Sequence, residues 1–237
     1  MRVTYNELIT LSIKCFNSLN LPLGESDRIA NMVADLELVG YSGLEFLLRS
    51  VQNINDTTLD ISIAEMENGV FEIDLNRSSV AFHLPAIMYY ARQQLLTNKT
   101  IVVKIKNAYN RWLAYGELKR LSERGYCVYA TWGRRSVDQT VHYLLNENEE
   151  HPNLYFVDEK RKNDVLEIHI SSQKFRPPLP KINTHHISSY NLTVEKEKSV
   201  RNGVFVKDTV WNALCDIAKK NLVANTEQSE EKGAGGI

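Results

Sequence analysis

The stretch from Thr100 to Ser136 constrains the fold of this chain more than any other. Ile101, Val102, Val103 and Ile105 form a β-branched run whose composition suits a strand buried on both faces. After the polar segment Lys106 to Arg111, the residues Trp112, Tyr115, Leu118 and Leu121 keep to one side of a helix. Gly125 closes that helix just past its cap. Tyr126 to Trp132 is strand-like again and leads into Gly133, Arg134, Arg135 and Ser136. Two buried strands joined by a helical crossover make a βαβ unit, parallel and right-handed by default. Ligands of such sheets bind beyond the carboxyl ends of the strands. Those ends are Lys106 to Arg111 and Gly133 to Ser136, so a site is expected there.

The flanking chain splits into helical and mixed parts. Thr4 and Glu7 have capping-box spacing ahead of the stripe Leu8, Leu11, Cys15 and Leu19. Ile29, Met32, Val33 and Leu36 predict a second helix ending at Gly40, and Leu44, Leu47, Leu48 and Val51 a third after Tyr41 to Gly43. From Ile61 the period becomes two, and Asn68-Gly69 signals a hairpin returning through Val70, Phe71, Ile73 and Leu75. Pro85 is expected early in a helix running to about Leu96, where its missing N–H costs little. Ser136 is expected to cap a further helix through Val137, Val141, Leu144 and Leu145. Leu154 to Val157 and Val165 to Ser171 read as strands, joined as a hairpin, and Ile187 to Val194 as another. Pro177 to Pro180 must leave the sheet. Asp208 opens a last helix carrying Val210, Leu214, Ile217 and Leu222. The expected organisation is an N-terminal helical segment over 1–55 and a central α/β domain over 56–182. A C-terminal strand and helix over 183–224 pack back on the N-terminal helices, and 225–237 form a flexible tail.

Composition excludes several classes. With 28 Lys plus Arg against 29 Asp plus Glu, no net field favours nucleic acid or a membrane surface. Cys15, Cys127 and Cys215 lie far apart with no Cys-x-x-Cys, so neither a disulfide framework nor a zinc site is indicated. His185 and His186 are adjacent and point opposite ways on a strand, so no metal is expected. No apolar run reaches the roughly 20 residues that span a bilayer. A soluble, cytoplasmic protein is expected.

Two constellations carry chemistry. Gly133, Arg134, Arg135 and Ser136, between strand and helix, offer N–H groups and two guanidinium groups to a phosphate or carboxylate. The same residues are equally read as a solvated loop with a serine cap. Asn107, Tyr109, Asn110 and Arg111 end the preceding strand, where polar side chains either meet a ligand or cap the helix that follows.

A family resemblance adds to this. Leu36 to Leu44 is similar to the N-terminal signature of the malate/L-lactate dehydrogenase (sulfolactate dehydrogenase-like) family, which reads Asp-Ser-His-Gly there. Asn107 to Gly116, with the spacing on to Gly125, resembles its Asn-Ser-Asn-His-Phe-Gly segment, and Gly203 to Trp211 the approach to its last helix. The whole chain, including the ending at Gly233, resembles still more a small uncharacterised bacterial family, as a shortened relative of those enzymes. The resemblance implies a mixed sheet with a parallel βαβ core, an NAD(P) cofactor and a homodimer. It also sets the family's motif histidines on Ser42 and Asn110, the residue before the first on Tyr41, and a glycine on Trp112. Carbonyl reduction needs a proton donor, which histidine supplies near neutral pH and serine or asparagine does not.

Three classes of function follow. One is an NAD(P)-dependent oxidoreductase with altered acid–base residues at Ser42 and Asn110. Tyr41, Asn107 and Arg111 would bind a small 2-keto or 2-hydroxy acid or cyclic imine, and Gly133 to Ser136 the cofactor. The second is an inactive descendant that binds a small anionic metabolite or serves as a subunit of another protein. The third is a structural dimer.

Overall fold

Local chemistry sets the first three helices. The computed structural model describes residues 1–19, 25–54, 61–66, 69–134, 137–147, 149–159, 165–177 and 184–219. After a short strand β1 (Arg2–Val3), Thr4 caps α1 (Tyr5–Asn17) in a reciprocal capping box with Glu7. This helix buries Leu8, Leu11, Cys15 and Phe16 against α2 (Glu25–Leu38), which contributes Ile29, Met32, Val33 and Leu36. Gly40, at φ +85°, ends that turn. The third helix, α3 (Gly43–Gln52), starts so close to α2 that a Cβ on Gly43 would sit 2.2 Å from the Val33 carbonyl. Only glycine fits that crossing.

The sheet follows. β2 (Ser62–Met66) and β3 (Val70–Asp74) form an antiparallel pair. Helix α4 (Val80–Gln94) then crosses to β4 (Thr100–Lys106), which lies parallel to β3. A 3₁₀ turn (Arg111–Leu113) and α5 (Ala114–Ser122) lead to β5 (Cys127–Gly133). Strands β6 (Thr140–Leu145), β7 (Asn153–Val157), β8 (Leu166–Ser171) and β9 (His185–Ile187) complete a mixed sheet in the order β2-β3-β4-β8-β5-β6-β7-β9. Helix α6 (Ser189–Asn202), strand β10 (Val204–Phe205) and α7 (Asp208–Lys219) close the described chain. β10 pairs with β1, and the α-amino group of Met1 donates to Val206 O at 2.9 Å. α7 buries Leu214 and Ala218 as it returns to the N-terminal helices, and Cys15 Sγ donates to Leu214 O at 3.2 Å.

Alternation along each strand divides the sheet into two faces. Ile73, Ile105, Ile168, Ala130 and Tyr143 join the helices in one core, where Trp132, Tyr115 and Tyr143 are the largest fully buried side chains. The other face carries Glu72, Lys104, Glu167, His169 and Tyr129 in cross-strand register.

Several expectations are corrected. β4 is buried on one face, not both, because Val102 and Lys104 lie half-exposed on the polar side. The parallel pair is β3–β4; β4 and β5 run the same way but with β8 inserted between them. β8 therefore forms no hairpin with β7, whose partners are β6 and β9. Residues 140–145 are a strand and not a helix. Every one of them is buried, and a run buried on both faces shows helical and strand spacing at once. His142 accordingly meets Tyr129 across β5 and β6, 2.6 Å from its hydroxyl, and belongs to no helix. Residues 189–194 are helical because Ser188 and Asn191 form a capping box. Pro85 is the sixth residue of α4, since Ser79 starts the helix earlier than expected. Asn68, Pro178 to Pro180, Arg135, Ser136 and the tail over 225–237 lie outside the described residues.

Candidate functional site

β5 and β4 are both antiparallel to β8, so β3, β4 and β5 all end on the same side of the sheet. The loops after β3 and β4 continue the parallel pairing beyond the strands. Leu75 N donates to Lys106 O at 3.1 Å, Tyr109 N to Ser78 O at 3.0 Å and Val80 N to Tyr109 O at 3.0 Å. Asp74 joins the two turns, accepting from Asn76 N at 2.8 Å and, on both oxygens, from Asn107 Nδ2 at 2.9 and 2.8 Å. Asn76, Arg77, Asn107 and Asn110 are the non-glycine residues with positive φ among those described, and all four sit in these loops. Asparagine tolerates that region; Arg77, at φ +66°, carries the full steric cost of a Cβ there. Strain held by surrounding bonds is a mark of functional loops.

Between these loops and α3 lies a cavity of about 700 Å³. Arg49 and Ser50 of α3, with Asn53 just past its end, face Arg77, Ser78 and Ser79 across it, with Asn110 at one side and Phe82, Trp112 and Trp132 as apolar walls. Asn110 Nδ2 donates to Ser50 Oγ at 2.8 Å, and Ser50 and Ser79 hydroxyls share a 2.8 Å bond. Ser79 also caps α4, whose amino end adds its partial positive charge. Arg111 and Arg134 complete a lining with four arginines and, among the described residues, no carboxylate. The indole N–H of Trp132 is buried without a hydrogen-bond partner. Such a lining suits a small anion with further oxygen acceptors.

A second cavity of about 590 Å³ adjoins the first, with Phe46, Arg49, Trp112 and Arg134 in both walls. Tyr41 stacks on Trp112 with ring centroids 4.5 Å apart, and Trp112 meets Trp132 edge-on at 5.1 Å. Burial pushes the Tyr41 phenol up to about 12, and its hydroxyl has no hydrogen-bond partner. Arg134 lies 5.7 Å over the Phe156 ring and donates to Gln139 Oε1 at 2.8 Å. Glu45 also lines this cavity, but its carboxylate is taken up by Arg49 at 3.6 Å and Lys207 Nζ at 2.7 Å. Aromatic walls beside guanidinium groups suit a planar ring bearing phosphates, so Trp112, Phe156, Arg49 and Arg134 would hold a nicotinamide nucleotide here.

The expected site residues divide accordingly. Asn110, Arg111, Gly133 and Arg134 line the first cavity, and Tyr41, Ser42 and Arg134 the second, so Ser42 and Asn110 do not share one. Arg111 is buried and donates to Ala108 O at 3.0 Å and Gly133 O at 2.9 Å, bracing the end of β4 against that of β5. Asn107 lines neither cavity; its amide holds Asp74. Ser42 begins α3 without a side-chain capping bond. Arg135 and Ser136 lie outside the described residues. Sequence reasoning missed Arg49, Ser50 and the run Arg77 to Ser79. The last had a signal: polar residues between a strand and a helix, the pattern recognised after β4.

The chain has a malate/L-lactate dehydrogenase-like fold, as its likeness to solved structures shows. A family described as a protein of unknown function (DUF3726) matches residues 3–72. Among solved structures, the chain is similar to a malate dehydrogenase from Pyrococcus horikoshii OT3, with TM-score 0.70 and 13% identity over 95% of this chain and 97% of that one. A dehydrogenase from Sinorhizobium meliloti gives TM-score 0.70 and 11% identity over 92% and 99%. The sulfolactate dehydrogenase from Methanocaldococcus jannaschii gives 0.67 and 11% over 93% and 97%. No curated protein matches in sequence. Identities this low carry the fold and leave activity to be argued from the site. No described helix is long and apolar enough to cross a membrane.

Proposed function

We propose that this chain is an NAD(P)-dependent oxidoreductase-like protein whose first cavity binds a small 2-keto or 2-hydroxy acid, or a cyclic imine bearing a carboxylate. The observation that carries this reading is the lining of the first cavity, four arginines with no carboxylate among the described residues, where three co-directional strands end. Arg49 and Arg134, which reach both cavities, would anchor the acid's carboxylate next to the nucleotide. Bound in the second cavity, the nicotinamide would supply hydride. The chain's own residues orient the acid, with Ser79 at its oxygens, Asn110 bracing Ser50 and Ser79, and Trp112 and Trp132 excluding water.

Thermal stability with NADH, NADPH and pyruvate, each alone and paired, tests it. A ligand at a hundredfold excess over its dissociation constant adds about 2.7 kcal/mol. A midpoint raised by nucleotide and by pyruvate is expected, and Arg49→Ala or Arg134→Ala should weaken pyruvate about tenfold or more. No shift with any of them at millimolar concentration sinks the proposal.

The second reading is an inactive descendant that binds a small anionic metabolite. It is favoured by Asn110, whose amide is committed to Ser50, and by Ser42 lying in the other cavity. A response to pyruvate with none to either nucleotide would select it. The resemblance carries a cytoplasmic homodimer into both readings. Tyr89, Tyr190 and Phe205, at 56, 74 and 71% exposure, offer aromatic surface to a second copy, which sedimentation equilibrium would detect.

A further inference from the structure

We propose that Ser78 and His83 deliver the proton that carbonyl reduction in the first cavity requires. This rests on reading that cavity as the site of a 2-keto acid. The positions where the resemblance expects histidine hold Ser42 and Asn110, and neither supplies a proton near neutral pH. The fold places a different histidine behind the cavity wall.

His83 is the fourth residue of α4 and is 6% exposed. Its Nε2 lies 3.0 Å from Ser78 Oγ. Ser78, equally buried, lines the cavity, which His83 itself does not. The serine is fixed through its backbone: its N–H donates to Leu75 O at 2.7 Å, and its carbonyl accepts from Tyr109 N at 3.0 Å. Its hydroxyl is thus held against the imidazole, in a residue of the cavity wall, by the same loop that carries the strained Arg77.

Tyr109, half-buried in the wall of the first cavity, is the competing phenol there, and the His83 response to pyruvate sets it apart; the remaining donors are weaker. Arginines stay protonated throughout the physiological range, and an asparagine amide does not titrate. Tyr41 lines the adjoining cavity with its phenol pushed up to about 12. His185 also lines that second cavity, but as an exposed residue of the edge strand β9.

A bound dihydronicotinamide would supply the hydride that the keto carbon accepts, and would itself end oxidised. The carbonyl electron pair moves onto oxygen, which takes the proton of Ser78 Oγ–H. Ser78 recovers a proton from Nε2–H of the His83 imidazolium, which ends neutral. Ser78 is the catalytic residue of this step, and His83 acts through it as a positioning residue.

The test is an NMR titration of the full chain, its histidine rings labelled, with pyruvate, alongside pyruvate reduction by NADH. The His83 ring resonances are expected to move as pyruvate binds. In Ser78→Ala, pyruvate should still bind, with a dissociation constant changed less than about tenfold, while the His83 response disappears. Ser78→Ala and His83→Gln should each lower kcat about a hundredfold or more with KM nearly unchanged; His169→Gln, on the polar face of the sheet and in neither cavity wall, should not. Pyruvate binding that leaves His83 unmoved, a full His83 response in Ser78→Ala, or an undiminished kcat in His83→Gln would overturn the relay and leave the cavity reading standing. If wild type binds no pyruvate, the cavity reading falls and the relay falls with it.

Discussion

Arg77 sets the energetics of the site at the scale of single residues. A residue with a Cβ at φ +66° costs about 1–2 kcal/mol relative to a relaxed backbone, and the surrounding ladder from Leu75 to Val80 keeps it there. Arg77→Gly removes the Cβ clash, so urea denaturation should show a stability gain of up to about 1 kcal/mol. The same variant should bind pyruvate more weakly, because a guanidinium leaves the cavity lining. A loss of stability would mean that the side chain packs more than it strains. Sequence reading reached Asn110, Arg111, Gly133 and Arg134, because polar residues after a buried strand are recognisable locally. It did not reach Arg49, Ser50 or Ser79. Their roles depend on which helix leans over which strand end, and no local pattern records that.

At the scale of elements, the turn from α2 to α3 stores a buried carboxylate. Glu37 Oε2 accepts from Leu44 N at 2.8 Å, and burial raises the carboxyl from an ordinary 4.5 to about 7. A carboxyl with a folded-state value above its unfolded one binds protons on folding. Its contribution is fully present below pH 4.5 and is lost as pH rises through 7. Buried His151 opposes it: burial lowers its imidazole to about 4, so its contribution grows as pH rises from 4 towards 6.5. Comparing wild type with Glu37→Gln isolates the first effect. In urea midpoints measured from pH 4.5 to 7.5, wild type should lose ground steadily to the variant. A constant difference would show that Glu37 is not desolvated. This turn was legible as Gly40, Tyr41 and Gly43, with Gly43 required by the Val33 carbonyl beneath it. The strand β6 was not legible, because burial on both faces hides the period that separates strand from helix.

Across the whole molecule, the two ends of the described chain stabilise each other. α7 covers α1 and α3, Leu214 is fully buried, and β1 pairs with β10. Leu214→Ala should cost about 2–5 kcal/mol, read as a lower urea midpoint in a single transition. Two separate transitions would instead mark the helical layer as an independent unit. Capping boxes at Thr4, glycine stops at Gly40 and Gly125, and the β-branched run of β4 were determined by the sequence alone, since each is a matter of neighbours within a few residues. So was the side of the sheet on which a ligand is expected. The tertiary structure alone decided that β8 enters between β4 and β5, that β3 is the parallel partner of β4, and that α3 brings Arg49 over their ends. Strand order is settled by packing between residues tens of positions apart, where the nearest-neighbour preferences of the chain are silent.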